Sequence, residues 1–175
     1  MNTSTTLVHT YLKNTDLHAL SAYEAITTYL KFKSLHHLKK YTRWEIGFAP
    51  DINPESALKS LLEESFSLLN VNKEAYFTGD FPVTPLKPNE HLFRVEVFSN
   101  QASDPQNEET LMQSICQKTG LTLTTLKKSL VWELSIIDTR SRDLVEADAL
   151  HKVILTTSRQ EGLLVSPLYE IARFI

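Results

Sequence analysis

The chain has 175 residues, of which 42% are hydrophobic and 22% charged, a composition typical of a globular protein with one ordinary domain or two small ones. Its formal net charge of -3 argues against nucleic acid as a partner, because phosphate binding depends on clustered Lys and Arg. A single cysteine, the lack of a signal-peptide pattern and the lack of a run of about 20 apolar residues predict a cytoplasmic protein that does not enter a membrane.

An internal repeat is the most informative feature of the chain. The run Leu38-Lys39-Lys40, followed by Trp44-Glu45-Ile46, recurs as Leu126-Lys127-Lys128, followed by Trp132-Glu133-Leu134. The offset between the two copies is the 88 residues that separate Leu38 from Leu126. This period is too long for a solenoid repeat and indicates the duplication of a small domain.

Each copy opens with a predicted strand and continues with a predicted helix. The offset carries Leu7 onto Val95 in the strands and Asp16 onto Asp104 before the helices. Aspartate is a favourable N-cap, and Pro105 suits the first position of the second of these helices. The first half of each copy is therefore predicted to have the order strand, helix.

The second half of each copy predicts strand, helix, strand. Apolar residues alternate over 44–48 and over 130–136, which predicts strands with one buried face. N-cap chemistry at Asn53 and at Asp143 predicts the helices that follow. The last strands are predicted at 75–78 and 168–174.

The order of elements predicts an α+β fold with two tandem subdomains, each strand-helix-strand-helix-strand. We place the first repeat at residues 1–79, a linker at 80–90 and the second repeat at 91–175. Proline recurs at every third position of the linker, which is the period of a polyproline II helix. The linker is therefore expected to act as a semi-rigid strap.

Several residues of the second repeat resemble a known family, the small PurS subunits of phosphoribosylformylglycinamidine synthase. The resemblance rests on Asp104-Pro105-Gln106, on Lys127 and on Glu133, and it covers nearly all of residues 91–175. The first repeat matches through Lys39 and Glu45 and through its order of elements. The chain departs from the family where a Gly-Lys pair usually precedes the glutamate, and the first repeat lacks the Pro-Gln pair after its aspartate.

The resemblance implies a ferredoxin-like-related pseudo-dimer, with two PurS-like repeats fused in one chain. It further implies a subunit without an active site or cofactor of its own, which bridges a synthetase large subunit (PurL-like) and a glutaminase subunit (PurQ-like) in de novo purine biosynthesis. Further pairing of the tandem chains is left open. The residues expected at the partner interface are Lys39, Glu45, Asp104, Gln106, Lys127, Glu133, Arg140 and Arg142.

The residues themselves predict little chemistry. The four glycines are too scattered for a phosphate-binding loop, and the six histidines lack metal-ligand spacing.

Trp44 and Trp132 are interpreted as core residues rather than as a ligand-stacking pair. Glu45 and Glu133 point to the other strand face, where they are solvated, paired with lysines or in contact with a partner. Cys116 is interpreted as a buried structural thiol rather than a nucleophile.

Two other functions compete with the assembly subunit. Paired α+β units also form small-molecule-binding regulatory domains of the ferredoxin-like, amino-acid-sensing type, although such domains usually carry glycine-rich ligand loops. A small enzyme with a site at the junction of the repeats would need a cleft with perturbed carboxylates near Glu45 or Glu133.

Overall fold

The computed structural model describes residues 5–99 and 105–175, without the side chains of residues 105–107. Within these residues the chain forms six strands and four helices, and the fold class is α+β as predicted. The strands are β1 (Thr5–Leu12), β2 (Leu35–Phe48), β3 (Glu74–Thr78), β4 (Glu90–Ser99), β5 (Leu123–Ile137) and β6 (Glu170–Phe174). The helices are α1 (Leu17–Thr28), α2 (Pro54–Lys59), α3 (Pro105–Thr119) and α4 (Arg142–Ala149), and π-helical turns Ser60–Glu64 and Leu150–Ile154 extend α2 and α4.

The strands follow the order β3-β1-β2-β5-β4-β6 in one sheet. β1 pairs antiparallel with β2 and β3, and β4 pairs antiparallel with β5 and β6. The first strand of each repeat therefore lies between the other two strands of that repeat. No helix within the described residues combines the length and the apolar character that a membrane crossing requires.

Two compact units divide the chain, and each combines segments of both repeats. The first unit contains β1, β2 from Thr42, α2, β3, α3 and β5 up to Ser129. The second unit contains α1, β2 up to Tyr41, β4, β5 from Leu130, α4 and β6. The first helix of each repeat thus belongs to the unit that holds the outer strands of the other repeat.

The core of the first unit joins α3 of the second repeat to strands of the first repeat. Ile115 of α3 is fully buried in one cluster with Trp44, Ile46 and Phe48 of β2. Helix α2 adds further buried apolar side chains, including Leu58. Because α3 is buried in one cluster with strand residues of the first repeat, the two repeats share this core.

The core of the second unit shows the reciprocal arrangement. Ala22 and Ile26 of α1, which belong to the first repeat, lie in one cluster with Phe93 and Val95 of β4. Trp132 of β5 is buried in the same cluster. The exchange of first helices between the repeats is therefore mutual.

The predicted starts of α1 and α2 are confirmed. The Asp16 carboxylate accepts hydrogen bonds from two backbone N–H groups of α1, and the Asn53 side chain does the same for α2. Gly120 follows α3 with a positive φ of 70° and donates its N–H to the Cys116 carbonyl. α3 begins at Pro105 as predicted, while Asp104, its predicted N-cap, lies outside the described residues.

The predicted start of α4 at Asp143 is wrong. The N-cap is Ser141, which has an extended backbone and makes no side-chain capping bond, and its carbonyl accepts the first helical hydrogen bond, from Val145. Asp143 instead lies in the first turn, where a carboxylate interacts favourably with the helix dipole. A carboxylate near a helix start does not by itself distinguish an N-cap from a first-turn position.

The second strand of each repeat is longer than its alternating apolar residues predicted, and it contains the lysine pair of that repeat. Lys39-Lys40 and Lys127-Lys128 lie within β2 and β5, which begin at Leu35 and Leu123. β2 and β5 are neighbours in the sheet, and their pairing continues the strands beyond the alternating apolar residues that marked them in sequence.

The first strands of the two repeats align one residue away from the sequence offset. Val8 lies opposite Trp44, and Val95 lies opposite Trp132, so Val8 rather than Leu7 is the structural equivalent of Val95. The connection from this strand to the first helix is one residue shorter in the first repeat. Because a one-residue slip exchanges the two faces of a strand, this shift decides which side chains face the core.

Candidate functional site

The candidate site lies on the strand faces that point away from the two cores, here called the outer face of each unit. Side chains alternate along a strand, so the residue after each core tryptophan points to the outer face. Glu45 of the first unit and Glu133 of the second unit occupy these positions, as predicted. Within β4, Arg94 and Glu96 share the outer face with Glu133.

Glu133 is held by two neighbours on the outer face of the second unit. It lies opposite Arg94, and the Arg94 Nε donates to the Glu133 Oε2 at 2.7 Å. The Tyr41 hydroxyl lies 3.4 Å from the other carboxylate oxygen. The Glu133 side chain is only 10% exposed, and its pairing is with Arg94 rather than with a lysine.

A second ion pair lies beside the first on the same face, and the two pairs together are here called the ionic row. Glu96 follows Arg94 by two residues and lies opposite Arg173 of β6, whose guanidinium donates to the Glu96 carboxylate at 2.5 Å. The Glu96 side chain is 7% exposed, whereas the Arg173 side chain is 60% exposed and also lies over the Phe98 ring at 5.5 Å. The buried carboxylate thus orients a guanidinium whose other donors reach solvent.

The alternation of charge along this row defines what it can do chemically. Each buried carboxylate accepts from a guanidinium, which offsets the cost of removing its charge from water. Arg173 presents fixed donors toward solvent, and such donors suit a carboxylate or carbonyl oxygen on another protein. The row therefore has the chemistry of an orienting or docking surface.

The first unit has an aromatic stack in place of the second ion pair. His9 lies opposite Phe77, and their rings stack at 4.7 Å between centroids with an angle of 16°. Phe81 packs on the same imidazole at 4.3 Å, and His9 is 2% exposed. The outer face of this unit is therefore apolar where that of the second unit is ionic.

The predicted lysine and glutamate partners meet across the repeats. Lys127 of the second repeat lies 3.9 Å from the Glu45 carboxylate of the first repeat, and both side chains are exposed, at 65% and 42%. Lys39 is exposed on β2. Glu45 and Lys127 thus form a solvent-facing pair in the first unit.

Of the two predicted arginines, Arg140 binds within its own segment and Arg142 contacts β4. Arg140 contacts the carboxylates of Asp138 and Asp148 at 2.8 Å and 2.7 Å, and 44% of its side chain is exposed. The hydrogen bonds from the Arg140 guanidinium, and then from its backbone N–H, lower the pKa of Asp138 to about 2. Arg142 lies over the Phe93 ring at 4.6 Å.

The tryptophans are core residues, as predicted. Trp44 and Trp132 are 6% and 2% exposed, and neither indole N–H has an acceptor within the part of the chain that the structure describes. Lys128 lies over the Trp44 ring at 5.4 Å, and His18 contacts the Trp132 ring edge-on at 5.7 Å. Cys116 is half-buried against the core of the first unit.

Some site residues lie outside the structure's description, and others were missed. Asp104 and the side chain of Gln106 are not described. Arg94, Glu96 and Arg173 were missed, although the alternation of polar and apolar residues in β4 places the first two on one face. Partial desolvation and then the charge of Lys39 lower the pKa of His37, although His37 is exposed on β2. No group of three or more potential metal ligands exists among residues 5–99 and 105–175.

Comparisons with known proteins give no match. No protein-family model, no curated protein and no solved structure is significantly similar to the chain.

Proposed function

We propose that the chain is a non-catalytic assembly subunit of a phosphoribosylformylglycinamidine synthase, with two PurS-like repeats fused as a pseudo-dimer. In the cytoplasm it bridges an ATP-dependent synthetase large subunit and a glutaminase subunit during de novo purine biosynthesis. It binds no cofactor, nucleic acid or membrane. The proposal draws on the family-like residues of the second repeat and on the duplication of the whole pattern.

The mutual exchange of first helices is the observation that best supports this proposal. Free PurS-like subunits pair as dimers, and a fused tandem is a covalent version of such a pair. In this chain α1 packs on β4 of the other repeat, and α3 packs on β2 of the other repeat. Because each first helix is buried in a cluster that contains side chains of both repeats, the repeats depend on each other as paired subunits do.

The charges on the outer faces support contact with other proteins. The exposed Glu45–Lys127 pair takes one residue from each repeat, and Arg173 offers oriented donors. Interface rims are polar, and complementary charges there favour the correct encounter of partners. We propose that these residues contact the large subunit or the glutaminase.

The proposal is tested by size-exclusion co-elution of the chain with the large subunit and the glutaminase from the same cell, in the presence of glutamine and Mg-ADP. We expect co-elution, and we expect glutamine-dependent synthesis to be lost when the chain is omitted. A chain that elutes alone and leaves the activity unchanged would contradict the proposal and would favour a small-molecule-binding regulatory domain.

A charge exchange separates a partner contact from an internal one. Glu45→Lys and Lys127→Glu each break the pair, and the double exchange restores it with the opposite polarity. If the pair faces a partner, all three variants co-elute less. If the pair only joins the two strands, the double variant recovers wild-type co-elution.

A further inference from the structure

We propose that the segment from Pro82 to Asn89, here called the proline strap, is a docking element for a partner protein with an aromatic-lined groove and an acidic residue at one end of that groove. This inference stands apart from the proposed function. It rests on the exposure of the strap, on the contacts that fix its two ends and on the order of its residues.

The proline strap is exposed along its whole length. Every residue from Pro82 to Asn89 is exposed, and residues 81–87 form neither helix nor strand. Val83 is 98% exposed and Leu86 is 46% exposed. The strap therefore presents two apolar side chains to solvent, within three residues of each other.

The strap is fixed at its beginning by aromatic packing. Phe81 contacts the rings of His9 and Phe77, with centroid distances of 4.3 Å and 5.3 Å. Just before it, the Gly79 N–H donates to the Leu7 carbonyl at 2.9 Å. The chain therefore leaves the first unit from a fixed point.

Hydrogen bonds fix the other end. The Lys87 N–H donates to the Glu90 carboxylate at 2.8 Å, and the Glu90 N–H donates back to the Lys87 carbonyl at 3.1 Å. The Asn89 carbonyl accepts from the Asp138 N–H at 2.9 Å, and the Ser135 hydroxyl donates to the Glu90 carboxylate. These hydrogen bonds hold the end of the strap within the second unit, and a segment that is already restricted loses less conformational entropy when it binds.

The order of residues in the strap matches the three edges of a polyproline II helix. In a polyproline II conformation, which has three residues per turn, Pro82, Pro85 and Pro88 align along one edge. Val83 and Leu86 align along a second edge, so that two adjacent edges are apolar. Aromatic-lined grooves recognise extended Pro-x-x-Pro segments through two such edges.

The charge on the strap indicates the polarity of the groove. Lys87 is exposed and follows Pro85 by two residues, which gives the order Pro-x-x-Pro-x-Lys from Pro82. A cation at one end of the two apolar edges fixes the direction in which the strap lies in the groove, when the groove ends in an acidic residue.

The test uses the full chain and a panel of purified SH3 and WW domains whose grooves end in an acidic residue. Binding is measured by titration calorimetry and mapped from the backbone amide signals of the labelled chain. We expect at least one domain to bind and to shift the signals of Val83, Thr84, Leu86 and Lys87. Pro85→Ala and Lys87→Glu should each weaken binding at least tenfold.

Two controls separate docking from general effects. Lys33→Glu makes the same change of charge at another exposed lysine and should leave the affinity within twofold of wild type. The free energy of unfolding of the strap variants should stay within about 1 kcal/mol of wild type, because the replaced side chains are exposed and the loss of one proline acts mainly on the unfolded chain. The proposal is overturned if no domain binds with a dissociation constant below about 1 mM, if Pro85→Ala binds as wild type does, or if the shifted signals lie outside the strap.

Discussion

Glu45 and Glu133 occupy equivalent positions in the two repeats, yet only Glu133 is buried in an ion pair. The residue opposite Glu133 is Arg94, whereas the residue opposite Glu45 is Leu7. Leucine cannot neutralise a carboxylate, and Glu45 instead lies near the exposed Lys127. The duplication has therefore diverged into a buried ion pair in the second unit and a solvent-facing pair in the first.

The buried pair predicts a large effect for Arg94→Ala. The substitution leaves the Glu133 carboxylate on the outer face without its guanidinium, and an uncompensated buried charge costs about 3 kcal/mol. We expect the free energy of unfolding to fall by about that amount, as measured by urea denaturation. Because the carboxylate is the source of the cost, adding Glu133→Gln to Arg94→Ala should recover part of the loss.

Lys127→Ala is the matched control on the equivalent glutamate. It breaks an exposed pair with Glu45, and exposed pairs contribute less than about 1 kcal/mol. A loss from Lys127→Ala as large as that from Arg94→Ala would contradict the assignment of buried and exposed pairs.

The sequence predicted the order of elements because local signals set it. Asp16 and Asn53 cap their helices through contacts two and three residues away, and Trp44 and Trp132 belong to alternating apolar runs. The repeat pattern contains no sign of the helix exchange, because a buried stripe on α1 is equally consistent with covering either repeat. Which strands a helix covers is decided by long-range packing.

The ionic row was missed for a related reason. Arg173 follows Glu96 by 77 residues, and only the pairing of β4 with β6 places them opposite each other. The one-residue slip of β1 was equally hidden, since Leu7 and Val8 are both apolar and both fit a strand. Pairing register of this kind depends on the length of the connections and on the core as a whole.

Asp138 predicts a specific dependence of stability on pH. Its pKa is lowered to about 2 from an ordinary value of 3.8, first by the Arg140 side chain and then by the Arg140 backbone N–H. A lowered carboxyl pKa stabilises the folded state above the ordinary value, and the contribution is lost as pH falls toward the folded pKa. Asp138→Asn should therefore be less stable than wild type at neutral pH, by about 1 kcal/mol, and the difference should shrink between pH 3.8 and about 2.

The measurement is urea denaturation of both proteins across this pH range. Asp51→Asn serves as a control, because Asp51 is an exposed carboxylate in a turn. Its difference from wild type should be small at every pH. A difference for Asp138→Asn that stays constant down to pH 2 would contradict the role of the carboxylate.

Replacement of the buried Trp132 by Phe should cost much less stability than its replacement by Ala. The indole N–H of Trp132 has no acceptor among the described residues, and an unpaired buried donor costs about 1–3 kcal/mol. Trp132→Phe removes that donor while keeping an aromatic ring in the core, so the cost of the lost volume is partly offset. We expect a loss below about 1.5 kcal/mol for Phe, against about 3–5 kcal/mol for Trp132→Ala.

Thermal and urea unfolding of both variants test this expectation. Trp44→Phe provides an independent copy of the experiment in the first unit, because the Trp44 N–H also lacks an acceptor in the described part of the chain. Equal losses for Trp132→Phe and Trp132→Ala would contradict an unpaired indole and would indicate that its N–H donates a valuable hydrogen bond.

Among the glycines with positive φ, Gly162 should lose the most folding stability when it is replaced by alanine. Its φ is 71°, and a Cβ at this position would lie 1.6 Å from the Leu155 carbonyl oxygen. Gly79 and Gly120 have similar φ values of 77° and 70°, but a Cβ there would meet no described atom within 4 Å. These three positions therefore separate backbone strain from steric collision.

Alanine at Gly79 or Gly120 should cost only the strain of the left-handed conformation, about 1–2 kcal/mol. Gly162→Ala adds a collision with backbone, which cannot turn aside as a side chain can. Nearby, Leu164 and Val165 are buried in the second unit, and Leu155 bridges to Val165, so the displaced segment takes core residues with it. We expect Gly162→Ala to lose more than about 3 kcal/mol in urea denaturation, and equal losses at all three glycines would contradict the close approach of Leu155.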